Sequence, residues 1–329
     1  MSPLQISDRL VLRRIGALLS SASGVAFFLI SLGSLVRAAQ AGLSCPDWPL
    51  CFGELIPSFD TAIFLEWFHR LVAGMLAIVM ALASFKILSS GYLRKVLGTQ
   101  IFAAMILLGI QVTLGGLTVL KLLEAKTVAA HLLNALLFYA VLLWMTFRVK
   151  RLALDPSALK SYKIPGTTKG LFLAVTLALF AQIALGGMVS SNFAGMVCPD
   201  FPQCHGEWLP PSLFPFVIQM LHRAAGVVVL AFAMVLWVAT YRLKLPPLAH
   251  YAVRLTPWML IIQIGLGVFN VLYALPIAAS AAHLANAVAI YTLMILGTLS
   301  VFTDGEHQGQ MPTQDTLSET PSLLVEGVT

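Results

Sequence analysis

The chain has 329 residues, of which 59% are hydrophobic and only 10% charged, with a formal net charge of +6. Soluble domains carry about a quarter charged residues, so this composition excludes a water-soluble globular fold and points to a polytopic membrane protein. The surplus of Lys and Arg lies in short loops, where it acts as a topology signal and argues against nucleic-acid binding.

Crossing the hydrocarbon core as helix takes about 20 apolar residues. Such runs are expected near 15–36, 64–88, 97–120, 128–147, 170–190, 216–240, 255–274 and 280–302. The fold class is therefore an all-α membrane protein with eight transmembrane helices. The first run follows "MSPLQISDRLVLRR" and lacks a small-residue cleavage site, which makes it an anchor and not a signal peptide. The N-terminus (Arg9, Arg13, Arg14), the 2–3 loop (Lys86, Arg94, Lys95), the 4–5 loop (Arg148, Lys150, Arg151, Lys160, Lys163, Lys169) and the 6–7 loop (Arg242, Lys244, Arg254) hold 15 of the 20 Lys and Arg residues. The positive-inside rule then puts both termini in the cytoplasm and the 1–2 and 5–6 loops outside. The tail 303–329, with five acids and neither Lys nor Arg, is expected to be disordered.

The chain contains an internal repeat. "CPDWPLCFGELIP" returns 153 positions later as "CPDFPQCHGEWLP" and "EWFHRLVAG" as "QMLHRAAGV"; at 152 positions "QVTLGGLTVL" returns as "QIGLGVFNVL" and "AAHLLNA" as "AAHLANA". A duplicated four-span unit returns to its starting side, so the two tandem four-helix bundles should be related by a pseudo-twofold axis along the membrane normal. A Leu-Gly step recurs near the outer end of every odd span, at Gly33, Gly115, Gly186 and Gly267, and is expected to let helices approach closely. All four cysteines, Cys45, Cys51, Cys198 and Cys204, sit in the two outer loops. There each pair has the spacing to close a small disulfide ring, as a structural staple or as a redox centre.

Four of the seven histidines, His69, His131, His222 and His283, lie one per even span near its outer end. Ionisable groups within spans are costly and usually functional. Two imidazoles per bundle suit haem iron with two axial ligands, whereas zinc or copper prefers a fuller protein ligand set. Arg70 and Arg223 follow His69 and His222 where haem propionates would meet cations, and Asn134 and Asn286 share the helical face of His131 and His283. His205, His250 and His307 read as solvated.

The halves differ at two places. Glu66, on the helical face of His69, is matched by Gln219, and Arg37 is matched by Ser190. Glu66 either pairs with Arg70 at the membrane interface or serves general acid-base chemistry. Arg37 is expected to add a haem-propionate or other carboxylate contact in the first half alone. One half thus acts, and the other holds a permanent cofactor.

At "GSLVRAAQAGLSCPDWPLCFG", "EWFHR", "AAHLLNA", "CPDFPQCHGEWLP", "QMLHR" and "AAHLANA" the sequence resembles the haem A synthase family of bacteria and mitochondria, over about 20 to 300. In "RAAQ" it departs from the Arg-Leu-Thr-type run common there. The resemblance implies an oxidoreductase that converts haem O into haem A by oxidising a methyl group to a formyl group. It makes His69 and His131 (half 1–150) ligands of the substrate haem, His222 and His283 (half 151–302) ligands of a resident haem b, and Glu66 the important carboxylate. It ties Cys45–Cys51 to activity and gives Cys198–Cys204 a structural role. It also implies a bacterial cytoplasmic (inner) membrane location, haem O synthase (protohaem farnesyltransferase) and terminal oxidase assembly as partners, and an unidentified electron-transfer partner. Lipid-facing glycines permit a homo-oligomer in the bilayer. Two other classes share these residues: a diheme electron carrier of the cytochrome b type, and a membrane thiol-disulfide oxidoreductase.

Overall fold

The structure is a computed structural model that describes residues 6–154, 161–209 and 212–303. The acidic tail from 304 onward, with His307, and Lys160 lie outside the described residues. Eight helices follow one another: α1 (Ile6–Ala38), α2 (Thr61–Ser89), α3 (Gly91–Leu120), α4 (Ala125–Leu152), α5 (Gly166–Ser191), α6 (Phe214–Thr240), α7 (Pro247–Leu272) and α8 (Ile277–Thr303). All eight are long and apolar enough to cross a membrane, and the chain is a multi-pass membrane protein.

The helices outrun the apolar stretches that predict them. α1 takes in Arg9, Arg13 and Arg14, and α7 starts at Pro247. Helical hydrogen bonding does not stop where hydrocarbon stops, and Arg side chains lay their stems along apolar surface while the charge reaches water. Where helices do begin, the sequence supplies the cap. Asp60 Oδ1 accepts the Ile63 N–H at 2.8 Å ahead of α2, and Pro stands in the first turn of α6 and α7, where its missing N–H costs nothing.

α1 packs on α2 and α4, and α3 closes the ring between α2 and α4; α5 to α8 repeat this ring. The rings join through α1 on α8, α4 on α5 and α4 on α8. Among the fully buried side chains, Leu12, Leu19, Leu142, Met145, Phe172 and Ile290 come from these four inner helices, and Met80, Leu97 and Leu236 reach inward from α2, α3 and α6. α2, α3, α6 and α7 instead turn large apolar groups outward, among them Phe85, Phe102 and Val238. That is the pattern of helices whose outer face meets lipid.

The two rings are related by a twofold axis, and hydrogen bonds mark it. Arg37 Nη2 donates to the carbonyl of Ser190, 153 positions away, at 2.9 Å. Arg151 Nη2 donates to the carbonyl of Thr303, 152 positions away, at 3.3 Å. The Tyr139 hydroxyl meets that of Thr292, the residue next to its counterpart Tyr291, at 2.9 Å. A residue touches its own repeat only beside the axis that relates them, so the axis runs along the helices from the end that carries Arg37 to the end that carries Arg151. The left-handed non-glycine residues also pair across the repeat: Gln40 with Phe193, Phe52 with His205, Leu122 with Ala274, Leu123 with Leu275. Duplication has preserved even unfavourable backbone.

Both cysteine loops close as disulfides, Cys45–Cys51 and Cys198–Cys204. All four cysteines are buried, which suits inert staples better than exposed thiol chemistry. The acid within each loop has a structural partner. Asp47 accepts the Phe52 and Gly53 N–H groups, both at 2.7 Å, and Asp200 accepts those of His205 at 2.7 Å and Gly206 at 2.8 Å. Phe52 and Gly53 have φ of 56° and 73°, so successive N–H groups converge on one anion as a nest. Glycine takes the second position, which a side chain would strain. The Gly53 and Gly206 N–H bonds hold Asp47 and Asp200 below the usual carboxylate range.

The lowered values fix the pH behaviour of the loop. A depressed carboxylate contributes stability above the ordinary Asp value of about 3.9, and that contribution is lost as pH falls through the folded value. With a phosphine reductant active at low pH, reduction of Cys45–Cys51 should stay slow from neutrality to about pH 4 and accelerate below it. Asp47→Ala should be reduced faster at every pH; rates equal to wild type would show that the nest does not order the loop.

Candidate functional site

His69, His131, His222 and His283 project from α2, α4, α6 and α8, two per ring from helices that stand across the ring from each other. In the second ring the His222 and His283 imidazole centres are 6.4 Å apart with planes at 69°. In the first ring His69 on α2 and His131 on α4 stand at the repeat-equivalent positions. An imidazole nitrogen bonds a metal at about 2 Å, and the ring centre lies roughly 1 Å beyond it, so two axial imidazoles put their centres about 6 Å apart. The 6.4 Å spacing fits a single ion held between two rings. Among the described residues no group of three His, Cys, Asp or Glu gathers to hold a metal. Such an ion would take its remaining ligands from something other than these side chains, as iron does in a porphyrin.

Each imidazole rests against one of the Leu-Gly steps. A Cβ on Gly33 would stand 3.3 Å from His69 Cε1, on Gly115 3.3 Å from His131 Cε1, on Gly186 2.9 Å from His222 Cε1 and on Gly267 3.2 Å from His283 Cε1. These glycines do allow close approach, and what approaches is a ring: each odd helix gives up a side chain so that the imidazole of the next helix can lie against its backbone. Gly116 does the same for the cysteine loop, since its Cβ would meet the Trp48 indole at 3.2 Å.

Sequence reasoning missed a second set of residues, the glutamines one turn before these glycines. Gln111 Nε2 lies 3.3 Å from His131 Nδ1 and 3.1 Å from its Nε2. Gln182 Nε2 lies 3.1 Å from His222 Nδ1 and donates to its carbonyl at 2.8 Å. Gln263 Nε2 donates to the His283 carbonyl at 2.9 Å. Asn134 and Asn286, expected on the histidine face, instead lock the glutamines: their Nδ2 groups donate to Gln111 Oε1 at 2.7 Å and Gln263 Oε1 at 2.8 Å. The signal was present in "QVTLG", "QIALG" and "QIGLG", where the glutamine stands three residues before the Leu-Gly pair. Only the first span breaks it, with "LISLG" and Leu29.

Arg70 and Arg223 are clamps on the cysteine loops. Arg70 Nη1 donates to the carbonyls of Asp47 and Leu50, both at 2.6 Å, and Nη2 to that of Cys45 at 3.1 Å. Its Nε and Nη2 both reach Glu66 Oε1, at 3.2 and 2.7 Å. All five guanidinium donors are thereby used. Arg223 repeats the clamp on Gln203 and Cys198, at 2.6 and 2.7 Å. Its neighbour differs: Gln219 turns to the loop, accepting the Cys198 N–H and donating to the Gly195 carbonyl, each at 2.9 Å. Glu66 is 6% exposed, and its Oε2 is buried with no hydrogen-bond partner. Arg37, besides its bond to Ser190, lies 4.2 Å over the Phe193 ring. His205 and His250 are exposed, apart from the four-histidine site.

A family model described as cytochrome oxidase assembly protein, COX15-CtaA, matches residues 17–295. A protein of Shewanella oneidensis named "Heme A synthase" is 27% identical over 83% of this chain and 92% of its own length. Another of that name from Halalkalibacterium halodurans is 33% identical over 64% of this chain and 70% of its own. "Heme A synthase COX15" of Arabidopsis thaliana is 26% identical over 86% of this chain and 73% of its own. With two imidazole pairs set in duplicated helical rings and a match over nearly every spanning helix, the chain belongs to the COX15-CtaA family of cytochrome oxidase assembly proteins.

Proposed function

We propose that this chain is a haem A synthase, an oxidoreductase that converts the methyl group of haem O into the formyl group of haem A. The first half (1–150) holds the substrate haem between His69 and His131, and the second (151–302) holds a resident haem b between His222 and His283. The observation that carries this reading is the spacing of paired imidazoles, 6.4 Å in the second ring. The glycine recess at each ring and the names of relatives that span most of the chain support it. When bound, haem b supplies one-electron redox chemistry.

Turning a methyl into a formyl group removes four electrons, brings in one oxygen atom and releases protons. The first half offers a receiver. Glu66 lies one helical turn from His69, its Oε1 fixed by Arg70 and its Oε2 buried and free. It takes up a proton or balances positive charge that builds on the substrate. Gln219 can do neither, which is why the second half holds its cofactor rather than transforming it. This asymmetry also favours a synthase over a diheme carrier with equivalent sites. Arg70 and Arg223 act on the porphyrin by ordering the loops above it, and Arg37 by holding α1 to α5 at that end. The termini lie in the cytoplasm and the disulfides on the oxidising side of the bacterial inner membrane, where such bonds persist. Haem O synthase supplies the substrate, terminal oxidase assembly takes the product, and an electron acceptor completes the cycle.

Co-expression with a haem O synthase tests the activity directly: extracted pigment should contain haem A. Glu66→Gln keeps an oxygen for Arg70 but loses the proton acceptor, and should cut haem A formation by roughly 10²–10⁴-fold. Undiminished output would remove Glu66 from the mechanism. The resident site has its own test. Gly186→Val drives a side chain into the space of His222 Cε1, 2.9 Å from where its Cβ would stand. The purified variant should lose haem b as His222→Ala does, and full haem b content in both would refute the ligand assignment.

A further inference from the structure

The stretch between each disulfide ring and the next helix ends in a bare apolar tip. Leu55 and Ile56 are 80% and 70% exposed, and their equivalents 153 positions on, Trp208 and Leu209, are 64% and 88% exposed. The first of these stretches folds down beside α2. Trp67 Nε1 donates to the Leu55 carbonyl at 2.7 Å, and the Phe59 ring lies 5.0 Å from that of Trp67 and 5.7 Å from that of Phe64. Trp67 belongs to a stripe of Phe64, Trp67, Leu71, Met75, Ile78 and Leu82, spaced three and four apart and turned outward along the helix. Leu55 is thus seated at the head of a face that meets lipid. The second stretch leads into a like stripe on α6, through Phe214, Val217, Leu221 and Val228.

The height of this contact is that of the membrane boundary. α2 has 29 residues, about 44 Å of helix at about 1.5 Å per residue, against a hydrocarbon core of about 30 Å. About 20 residues cover that core, and counted back from Lys86 in the last turn of α2 they end at Trp67. Tryptophan is enriched at just such boundaries.

We propose that Leu55–Ile56 and Trp208–Leu209 are lipid anchors, set where headgroups meet acyl chains at the disulfide end of the molecule. No Lys or Arg lies between Cys51 and Thr61 or between Cys204 and Phe214, so the tips offer apolar contact and no charge pairing. A bilayer perpendicular to the twofold axis meets both copies at one height, whereas a protein partner needs only one of them. Residues around the tips have diverged, Phe52 to His205 and Phe59 to Ser212, while the tips themselves have stayed apolar. Each cysteine loop is thereby held at two points, by an arginine on its carbonyls and by the leaflet at its tip. The anchoring is the same whatever the two rings bind.

The test uses the full chain in nanodiscs of zwitterionic phosphatidylcholine, where both faces meet the buffer. A genetically encoded fluorescent amino acid takes the place of Ile56 in one variant and of Leu209 in another, which leaves both disulfides intact. Phosphatidylcholine brominated near the headgroup end of its acyl chains should remove most of the emission of each probe, and aqueous iodide should remove little. Stronger quenching by iodide than by the brominated lipid would put the tips in water and overturn the proposal. Shielding from both quenchers would mean that a second copy or another protein covers them, and overturns it equally. If the probe variants do not fold, intrinsic fluorescence carries the test through Trp208→Phe. The emission that this variant loses relative to wild type should be quenched by the brominated lipid; a difference spectrum quenched more by iodide, or by neither, overturns the proposal.

Discussion

An imidazole cannot lie between two packed transmembrane helices unless one of them gives up its side chain at that level. The structure meets this constraint four times, with Gly33, Gly115, Gly186 and Gly267 each receiving the ring of the next helix. Protein interiors are close-packed, so the absent Cβ fixes where each ring stands. Everything else at that end serves this arrangement. Tight turns through Leu122–Leu123 and Ala274–Leu275 return α4 and α8 beside α3 and α7 at the right height. The longer cysteine loops do the same for α2 and α6, stiffened by their disulfides and by carboxylate nests.

Duplication supplies two equal frameworks, and the side chains set in them differ. The divergence is not scattered. α3 and α4 match α7 and α8 in residue type, Gln111 with Gln263, Asn134 with Asn286 and His131 with His283, and in the amide-to-amide bonds, although Gln111 Nε2 faces the His131 ring and Gln263 Nε2 the His283 carbonyl. The differences lie in α1 and α2 against α5 and α6, where Leu29 replaces Gln182, Glu66 replaces Gln219 and Arg37 replaces Ser190. One helix pair per half thus keeps its Gln, Asn and His across the repeat, and the other carries the polar differences.

The spans, the duplication, the axis and both disulfide rings could all be read from the sequence, because each rests on a local property: run length, self-similarity, or two cysteines a few residues apart. The four histidines stood out for the same reason, as polar residues at equivalent places in apolar runs. What the sequence hid were choices of partner. Arg70 next to His69 reads as a cation waiting for an anion, and only the fold shows the carbonyls of Cys45, Asp47 and Leu50 converging on it. Asn134 reads as a neighbour of His131 on its own helix, whereas it bonds Gln111 across the interface. The glutamines were lost because they lie on the odd helices, apart in sequence from the histidines they neighbour, where no shared helical face links them. Helix ends were set too short because apolar run length measures the hydrocarbon and not the helix.

The clamps show how a shared device comes to have different consequences in the two halves. Arg70 and Arg223 both gather loop carbonyls, yet only Arg70 also neutralises a carboxylate, with the pair 14% and 8% exposed. Removing one partner of a buried ion pair leaves an uncompensated charge, at a cost of about 3–5 kcal/mol. Loop order in the first half is therefore bound to the charge on Glu66: the loop carbonyls, Arg70 and Glu66 form one hydrogen-bonded chain from the disulfide ring to the acid beside His69. Neutralising Glu66 weakens the hold on the loop, and opening the loop loosens the hold on Glu66. The second half has no such chain, because Gln219 bonds the loop directly and carries no charge. The same fold thus ties the loop to a buried carboxylate in one half and to a neutral amide in the other.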